Sequence, residues 1–151
     1  MIKYITGDIF EIIKPLSHQK LVIPHVCNIH RVAGAGFVIP LQKHFPFSLI
    51  EYKSKDTDWN LGDLNLYKQG NVTIANMIAQ VLNGRRPLYY NALSKCMDEV
   101  AEYCLKEGTQ IIAPMFGSGL AGGNPEFIED LMVDCWIRKN IGVTVVKFPE
   151  K

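Results

Sequence analysis

Much of the equipment of common enzyme chemistry is missing from these 151 residues. No C-x-x-C pair occurs, and Cys27, Cys96, Cys104 and Cys135 lie scattered inside apolar patterns. That excludes a zinc ribbon or a disulfide scaffold and points to reduced core thiols in a cytoplasmic protein. There is no G-x-S-x-G elbow, no lysine closing a glycine loop and no evident carboxylate pair, which removes serine-hydrolase and P-loop chemistry. No G-x-G-x-x-G follows the first strand, so an ordinary dinucleotide dehydrogenase is not indicated. Neither sign of charge dominates: sixteen basic against fifteen acidic residues leave a net charge of +1. No global field favours nucleic acid or membrane, and any anion site must be local. No apolar run approaches the roughly 18 residues of a membrane span, and Met1 to Asp8 lacks the long apolar stretch of a signal peptide. Repeats, linkers and low-complexity segments are also absent, so residues 1–151 read as one α/β domain with its own core.

What is present is a strand-loop-helix pattern used twice. Leu21 to Val26 is an apolar strand of the kind buried on both faces of a parallel sheet, followed by a polar edge at Asn28 and a loop bearing Gly34 and Gly36. Ile111 to Met115 is a second such strand, and Gly117-Ser-Gly-Leu-Ala-Gly-Gly123 leads to a helix capped by Asn124 with Pro125 at its first position. Glycines let backbone N–H groups approach an anion closely, and the helix start adds its positive dipole end. Two loops of this kind suit a ligand with more than one phosphate.

Around them, Ile2 to Ile5 reads as a short strand closed by Gly7-Asp8. Phe37, Val38, Leu41 and Phe45 recur at helical spacing until Pro46, and a further helix covers about 48–55. Asp63 to Lys68 alternates, Gln69-Gly-Asn71 turns, and Val72 to Ala79 is a longer strand, so the middle reads as a hairpin. Residues 81–87 read as a loop. Tyr89, Leu93, Met97, Val100, Ala101 and Cys104 mark one helical face; Phe127, Ile128, Leu131, Met132, Cys135 and Trp136 mark another; Val143 to Val146 is a last strand. The sum is a three-layer α/β/α sandwich around a mixed central sheet.

Ligands of open α/β sheets sit beyond the carboxyl ends of the strands. Here those ends carry Asp8, Asn28, Asn76, Gln80 and the two glycine loops, which are expected to line one cleft. His25 sits inside an apolar strand, where a core histidine bonded to a backbone carbonyl is the plain reading. Its nearness to a phosphate loop makes a nucleophile or proton carrier the competing one. His25-x-Cys27-x-x-His30 imitates a metal site, but strand alternation turns His25 and Cys27 to one side while His30 falls in a loop, so no metal is expected. Asp8 after Gly7 either caps a turn or touches ligand.

In this order the motifs resemble the macrodomain family, the ADP-ribose-binding α/β/α module, along essentially the whole chain. Thr6-Gly-Asp-Ile9 looks like the family's opening Gly-Asp-Ile, Pro24-His-Val-Cys-Asn28 with Ala35-Gly-Phe37 like its first ligand loop, Ala75 to Gln80 like its central strand, and Gly117 to Gly123 like its phosphate loop. Small phage and bacterial members grouped with yeast-type ADP-ribose-1″-phosphate phosphatases are the nearest likeness. The resemblance implies that Asp8 accepts from the adenine amino group with Ile9 beside the ring. It places Asn28 on the distal ribose hydroxyls and Gly34, Ala35, Gly36 and Phe37 along the distal ribose and diphosphate. It makes Gly117, Ser118, Gly119, Leu120 and Ala121 the loop whose N–H groups meet the phosphates, and His25, with Asn28, the catalytic candidate.

The implied activity is hydrolysis of ADP-ribose-1″-phosphate without cofactor or metal. The alternatives are a non-catalytic ADP-ribose-binding module and an ADP-ribosyl-protein hydrolase. No membrane or nucleic-acid partner is implied. Three departures stand out. The Gly-x-Trp-Gly of close relatives is His30-Arg-Val-Ala33 here. The lysine and aspartate of the ADP-ribosyl-glutamate hydrolase branch are replaced by Ala79 or Gln80 and by Ala121. The tryptophan usual after Ala-Gly-Gly gives way to Asn124-Pro125, leaving Phe148 to stack on adenine.

Overall fold

A computed structural model describes residues 1–82, 87–119 and 121–149. Among them the elements run β1 (Lys3–Thr6), α1 (Ile9–Ile12), β2 (Leu21–Asn28), α2 (Val38–His44), α3 (Ile50–Lys53), β3 (Leu64–Gln69), β4 (Val72–Gln80), α4 (Tyr90–Glu107), β5 (Gln110–Pro114), α5 (Pro125–Cys135) and β6 (Val143–Lys147). Single 3-10 turns at Lys14–Leu16 and Ile137–Lys139 follow α1 and α5. The described strands form a six-stranded sheet in the order β1-β6-β5-β2-β4-β3. All neighbours are parallel except β3 and β4, the hairpin turned by Gly70.

Side-chain alternation along the strands divides the core in two. On one face Val22, Ala75, Met77, Ile111, Ala113, Val143 and Val145 bury against α4 and α5; on the other Ile23, Ile74, Ile78, Ile112 and Val146 bury against α1, α2 and α3. The α/β/α sandwich with its mixed sheet is thus as the pattern requires. The helix ends follow local chemistry. Asn124 caps α5 by accepting from the amides of Glu126 and Phe127, with Pro125 at the first position, and Gly108 closes α4 with φ +69°.

Sequence periodicity assigns nothing between the first two strands, yet α1 forms there. Asp8 supplies its N-cap by accepting from Phe10 N at 2.9 Å, and Ile9, Phe10 and Ile13 bury one side of the turn. A single turn is too short to show a repeat, so burial rather than periodicity stabilises it.

The ladder of the sheet is also interrupted at a defined place. β2 pairs with β4 along its length, with a register shift between Cys27 and Asn28, but meets β5 only through Leu21 with Gln110 and Val22 with Ile111. Pro24, two residues further on, has no N–H to donate, and β5 itself ends in Pro114. Beyond Val22 the two strands run side by side without a laddered pairing.

Trp136 ties the α4–α5 layer together. It is fully buried, donates Nε1–H to Met97 O at 2.8 Å, and meets Phe116 edge-on with ring centroids 6.0 Å apart. Trp136→Ala is expected to lower the free energy of unfolding by about 3–5 kcal/mol, read as a shifted midpoint in urea with an unchanged slope.

Candidate functional site

Three hollows join end to end along the carboxyl edge of the sheet. The central one, about 190 Å³, lies over the carboxyl ends of β2 and β5 and is walled by His25, Val26, Gly36, Phe37, Gln80, Pro114, Phe116, Gly117, Gly119 and Ala121. It shares Val26, Ala35, Val38 and Gln80 with a hollow of about 390 Å³ that reaches Asn28, Gly34, Tyr52, Leu82 and Pro87. In the other direction it shares Gly36, Phe37, Pro114 and Met115 with one of about 400 Å³ bounded by Pro40, Val146 and the half-exposed Phe148. The result is an elongated groove, aromatic at one end and lined by amide and hydroxyl side chains at the other. Among the described residues, no charged side chain lines any of its three parts.

Most of the expected residues meet here. Gly34, Ala35, Gly36 and Phe37 form one rim, and Gly117, Gly119 and Ala121 form the opposite one. Gly117 has φ +79°, and a Cβ added at Gly123 would fall 2.5 Å from Gly117 O, so the second loop keeps its shape only with glycine at both positions. A Cβ at Gly34 or Gly119 would meet nothing within 4 Å, leaving both backbones open to approach. Leu120 lies outside the described residues.

Other residues sit elsewhere. Ser118 lines a separate small cavity beside Tyr4 and Glu129. Asp8, half-buried, is the N-cap of α1, and Ile9 is fully buried in the core beneath it; neither lines the groove. Asn76, expected at a strand end, is in the middle of β4 and fully buried, so it braces the floor rather than lining the cleft. His30 is exposed, away from the buried His25 and Cys27 pair. Gln80, noticed in the sequence only as a polar strand end, lines both the central and the distal hollow.

His25 is 2% exposed. Its Nε2 lies 2.5 Å from Asn76 Oδ1, its ring packs 5.6 Å from Phe37, and Cys27 Sγ lies 4.0 Å from Nδ1. Burial drives its pKa from the ordinary 6.5 to about 4, only partly opposed by the bond to Asn76, so the imidazole is neutral at pH 7. Burial likewise pushes the Cys27 thiol far up, which makes it a small apolar neighbour rather than a thiolate.

Asn28 is also nearly covered, at 4% exposure. Its Oδ1 accepts from His30 N at 2.9 Å, Val32 N at 3.3 Å and Tyr52 Oη at 2.9 Å, while Nδ2 donates to Val32 O at 2.8 Å. The amide therefore shapes the loop after β2 and keeps one N–H beyond the bond to Val32. The single Tyr52 O–H is shared between Asn28 Oδ1 and the nearer Asn28 O at 2.6 Å, a role that a tyrosine on a one-turn helix does not announce in sequence. The divergent segment 30–33 is anchored by Arg31, whose φ is +63° and whose Nη1 donates to the carbonyls of Thr57 at 2.8 Å and of Ser54 and Lys55 at 3.3 Å.

Comparison with known proteins adds the following. No family model matches the chain. An ADP-ribose 1″-phosphate phosphatase from Candida albicans is 40% identical over 52 residues, 34% of this chain and 33% of that protein, so the match spans a third of the phosphatase's length. A protein of unknown function from Bacteroides thetaiotaomicron superposes with a TM-score of 0.89 at 31% identity, over 97% of this chain and 98% of its own. A macrodomain protein from Streptomyces coelicolor superposes with a TM-score of 0.80 at 28% identity, over 100% of both chains.

Two outcomes follow. Because His25 is neutral in the fold but titrates near 6.5 when unfolded, its contribution to stability is complete above pH 6.5 and is lost as pH falls toward 4. That contribution is about 3 kcal/mol, and urea unfolding at pH 7 and pH 4 is expected to lose this component of its pH dependence in His25→Phe. Arg31→Ala is expected to speed amide exchange at 30–33 and 54–57 by about tenfold or more, as local opening becomes easier by 1–2 kcal/mol, with exchange in β2 and β4 unchanged.

Proposed function

The chain belongs to the macrodomain family, and on that premise we propose that its groove binds ADP-ribose and removes the terminal phosphate of ADP-ribose-1″-phosphate. The observation that carries this reading is the form of the groove: a long cleft over parallel strand ends, with glycine loops on both rims and a neutral histidine in its floor. The adenosine half fits the end bounded by Phe148 and Pro40, and the distal ribose fits the end near Asn28 and Gln80. The diphosphate then crosses the centre between the two loops, where N–H dipoles meet its charge without a metal. The local match to the Candida albicans ADP-ribose 1″-phosphate phosphatase supports the choice of reaction.

A pKa of about 4 gives His25 the part of nucleophile or base rather than acid. In the proposed step a lone pair on the imidazole attacks phosphorus, or takes a proton from a water that does. The bond from phosphorus to the 1″-oxygen breaks, and that oxygen leaves with a proton from solvent as the ribose hydroxyl. If the imidazole itself is the nucleophile, water then cleaves the phosphohistidine to inorganic phosphate. The lysine adduct used by the ADP-ribosyl-glutamate hydrolase branch has no counterpart, because Gln80 and Ala121 occupy the wall there.

A second reading, ADP-ribose binding without catalysis, is favoured by one observation: His25 is only 2% exposed. The test separates the two. Purified protein incubated with ADP-ribose-1″-phosphate is expected to release inorganic phosphate with ADP-ribose as a competitive inhibitor. His25→Ala should lower kcat by about 10²–10⁴-fold while calorimetric ADP-ribose affinity is kept. Binding with no phosphate release establishes the second reading. Failure of ADP-ribose to bind overturns both.

A further inference from the structure

Beneath the groove runs a chain of polar side chains, Glu51, Asn65 and Asn76, that lines none of the three hollows and ends on His25 in the wall of the central one. Glu51 Oε1, on the exposed face of α3, accepts from Asn65 Nδ2 at 2.7 Å. Asn65 Oδ1 accepts from Asn76 Nδ2 at 2.9 Å, and Asn76 Oδ1 lies 2.5 Å from His25 Nε2. The last three residues are 4%, 0% and 2% exposed. An amide's oxygen and nitrogen are told apart by their partners, and here the partners leave no freedom. A carboxylate can only accept, so Asn65 must turn its NH₂ to Glu51 and its oxygen to Asn76. Asn76 must then offer its own NH₂ to Asn65, a choice fixed a second time by Ser48 O, which accepts from the same nitrogen at 3.1 Å. That leaves Asn76 Oδ1 facing the imidazole, and an acceptor there demands a proton on Nε2.

We infer that Asn76, oriented by Asn65, Glu51 and the Ser48 carbonyl, is a positioning residue that holds His25 as its Nε2–H tautomer and leaves Nδ1 as the lone-pair nitrogen. This deepens the reading of His25 as the reacting group and rests on it for its functional meaning. Beside Nδ1 lies Cys27 Sγ at 4.0 Å, a weak partner that is equally close to Nε2, at 3.9 Å, and so does not select a tautomer. Both ring nitrogens would otherwise interconvert by proton exchange, and a nucleophile whose lone pair sits on the wrong nitrogen half the time also points the wrong way. The polar chain removes that choice from a distance, with its outer end at the surface and its inner end under the substrate. The neutrality of the ring, caused by burial, fits the same assignment.

The test is long-range ¹H–¹⁵N correlation on the uniformly labelled full chain at pH 7. His25 is expected to show a pyrrole-like Nε2 and a pyridine-like Nδ1. An Nδ1–H tautomer, or an imidazolium, overturns the inference without further experiment. In Asn76→Leu the acceptor is gone, and signals of the second tautomer should appear. Should that variant fail to fold, Asn76→Ser replaces the obligate acceptor with a shorter hydroxyl that can also donate and is read in the same way. In whichever variant folds, kcat for ADP-ribose-1″-phosphate should fall about 10–100-fold as the ring loses its alignment, with KM and ADP-ribose affinity within about twofold. A tautomer mixture with undiminished kcat overturns the positioning role. An Nε2–H ring in a wild-type protein that releases no phosphate upholds the polar chain and overturns the catalytic reading instead.

Discussion

Two prolines, Pro24 in β2 and Pro114 at the end of β5, have no N–H to place in a ladder, and pairing between those strands is confined to Leu21 with Gln110 and Val22 with Ile111. β2 stays in register with β4 up to the shift at Cys27, and its ladder with β5 stops after two pairs although the two strands continue side by side. The central hollow lies over the carboxyl ends of these two strands, and both glycine loops hang from them. Main-chain groups near those ends are thereby released from the ladder, so the site depends on the backbone before it depends on any side chain.

Polar groups lie in the core beneath the groove and at its rim, and the structure meets their hydrogen-bonding demand in two separate ways. Below the groove, Asn76 and Asn65 pass their bonds outward until they end on the Glu51 carboxylate. At the rim, Asn28 turns its amide onto the loop that follows it and receives Tyr52 Oη from α3. Glu51 and Tyr52 are adjacent on the same one-turn helix, so a four-residue element terminates both systems. Among the described residues only Thr109 Oγ1 is a buried side-chain polar atom without a partner, which matches the expectation that buried polar groups are satisfied. The lining itself, among the described residues, carries no formal charge. That accords with a chain whose net charge is +1 and leaves anion recognition to main-chain dipoles.

The sequence made the strands and most helices plain, the short β1, β5, β6 and α3 among them, and hid the single turn of α1, for a physical reason. β2, β4, α4 and α5 each run eight residues or more, enough for periodicity to repeat and for Asn124 and Gly108 to mark helix ends. α1 is a single turn held by an Asp8 cap and by burial of Ile9 and Phe10, neither of which leaves a repeat to read. Glycine loops after apolar strands were legible as one cleft because both follow parallel strands. What could not be read was which face a polar residue uses. Asn76 was grouped with the polar residues of the strand ends until its burial in mid-strand and its bonds to Asn65 and Ser48 placed it in the floor, and Asn28 looked free until Tyr52 and the turn at 30–32 took up its oxygen. Such roles depend on partners distant in sequence, 24 residues away for Tyr52 and 51 for the pair of Asn76 with His25.

Arg31 gives the divergent loop a strained backbone and a tether at once. A left-handed backbone favours glycine at this position, yet the guanidinium holds the carbonyls of Ser54, Lys55 and Thr57, a task that glycine cannot perform. Because the atoms it holds are main-chain oxygens, the side chains at 54–57 are free to vary while the path of that segment is kept. An insertion or deletion there would instead release the rim at 30–33 from its anchor.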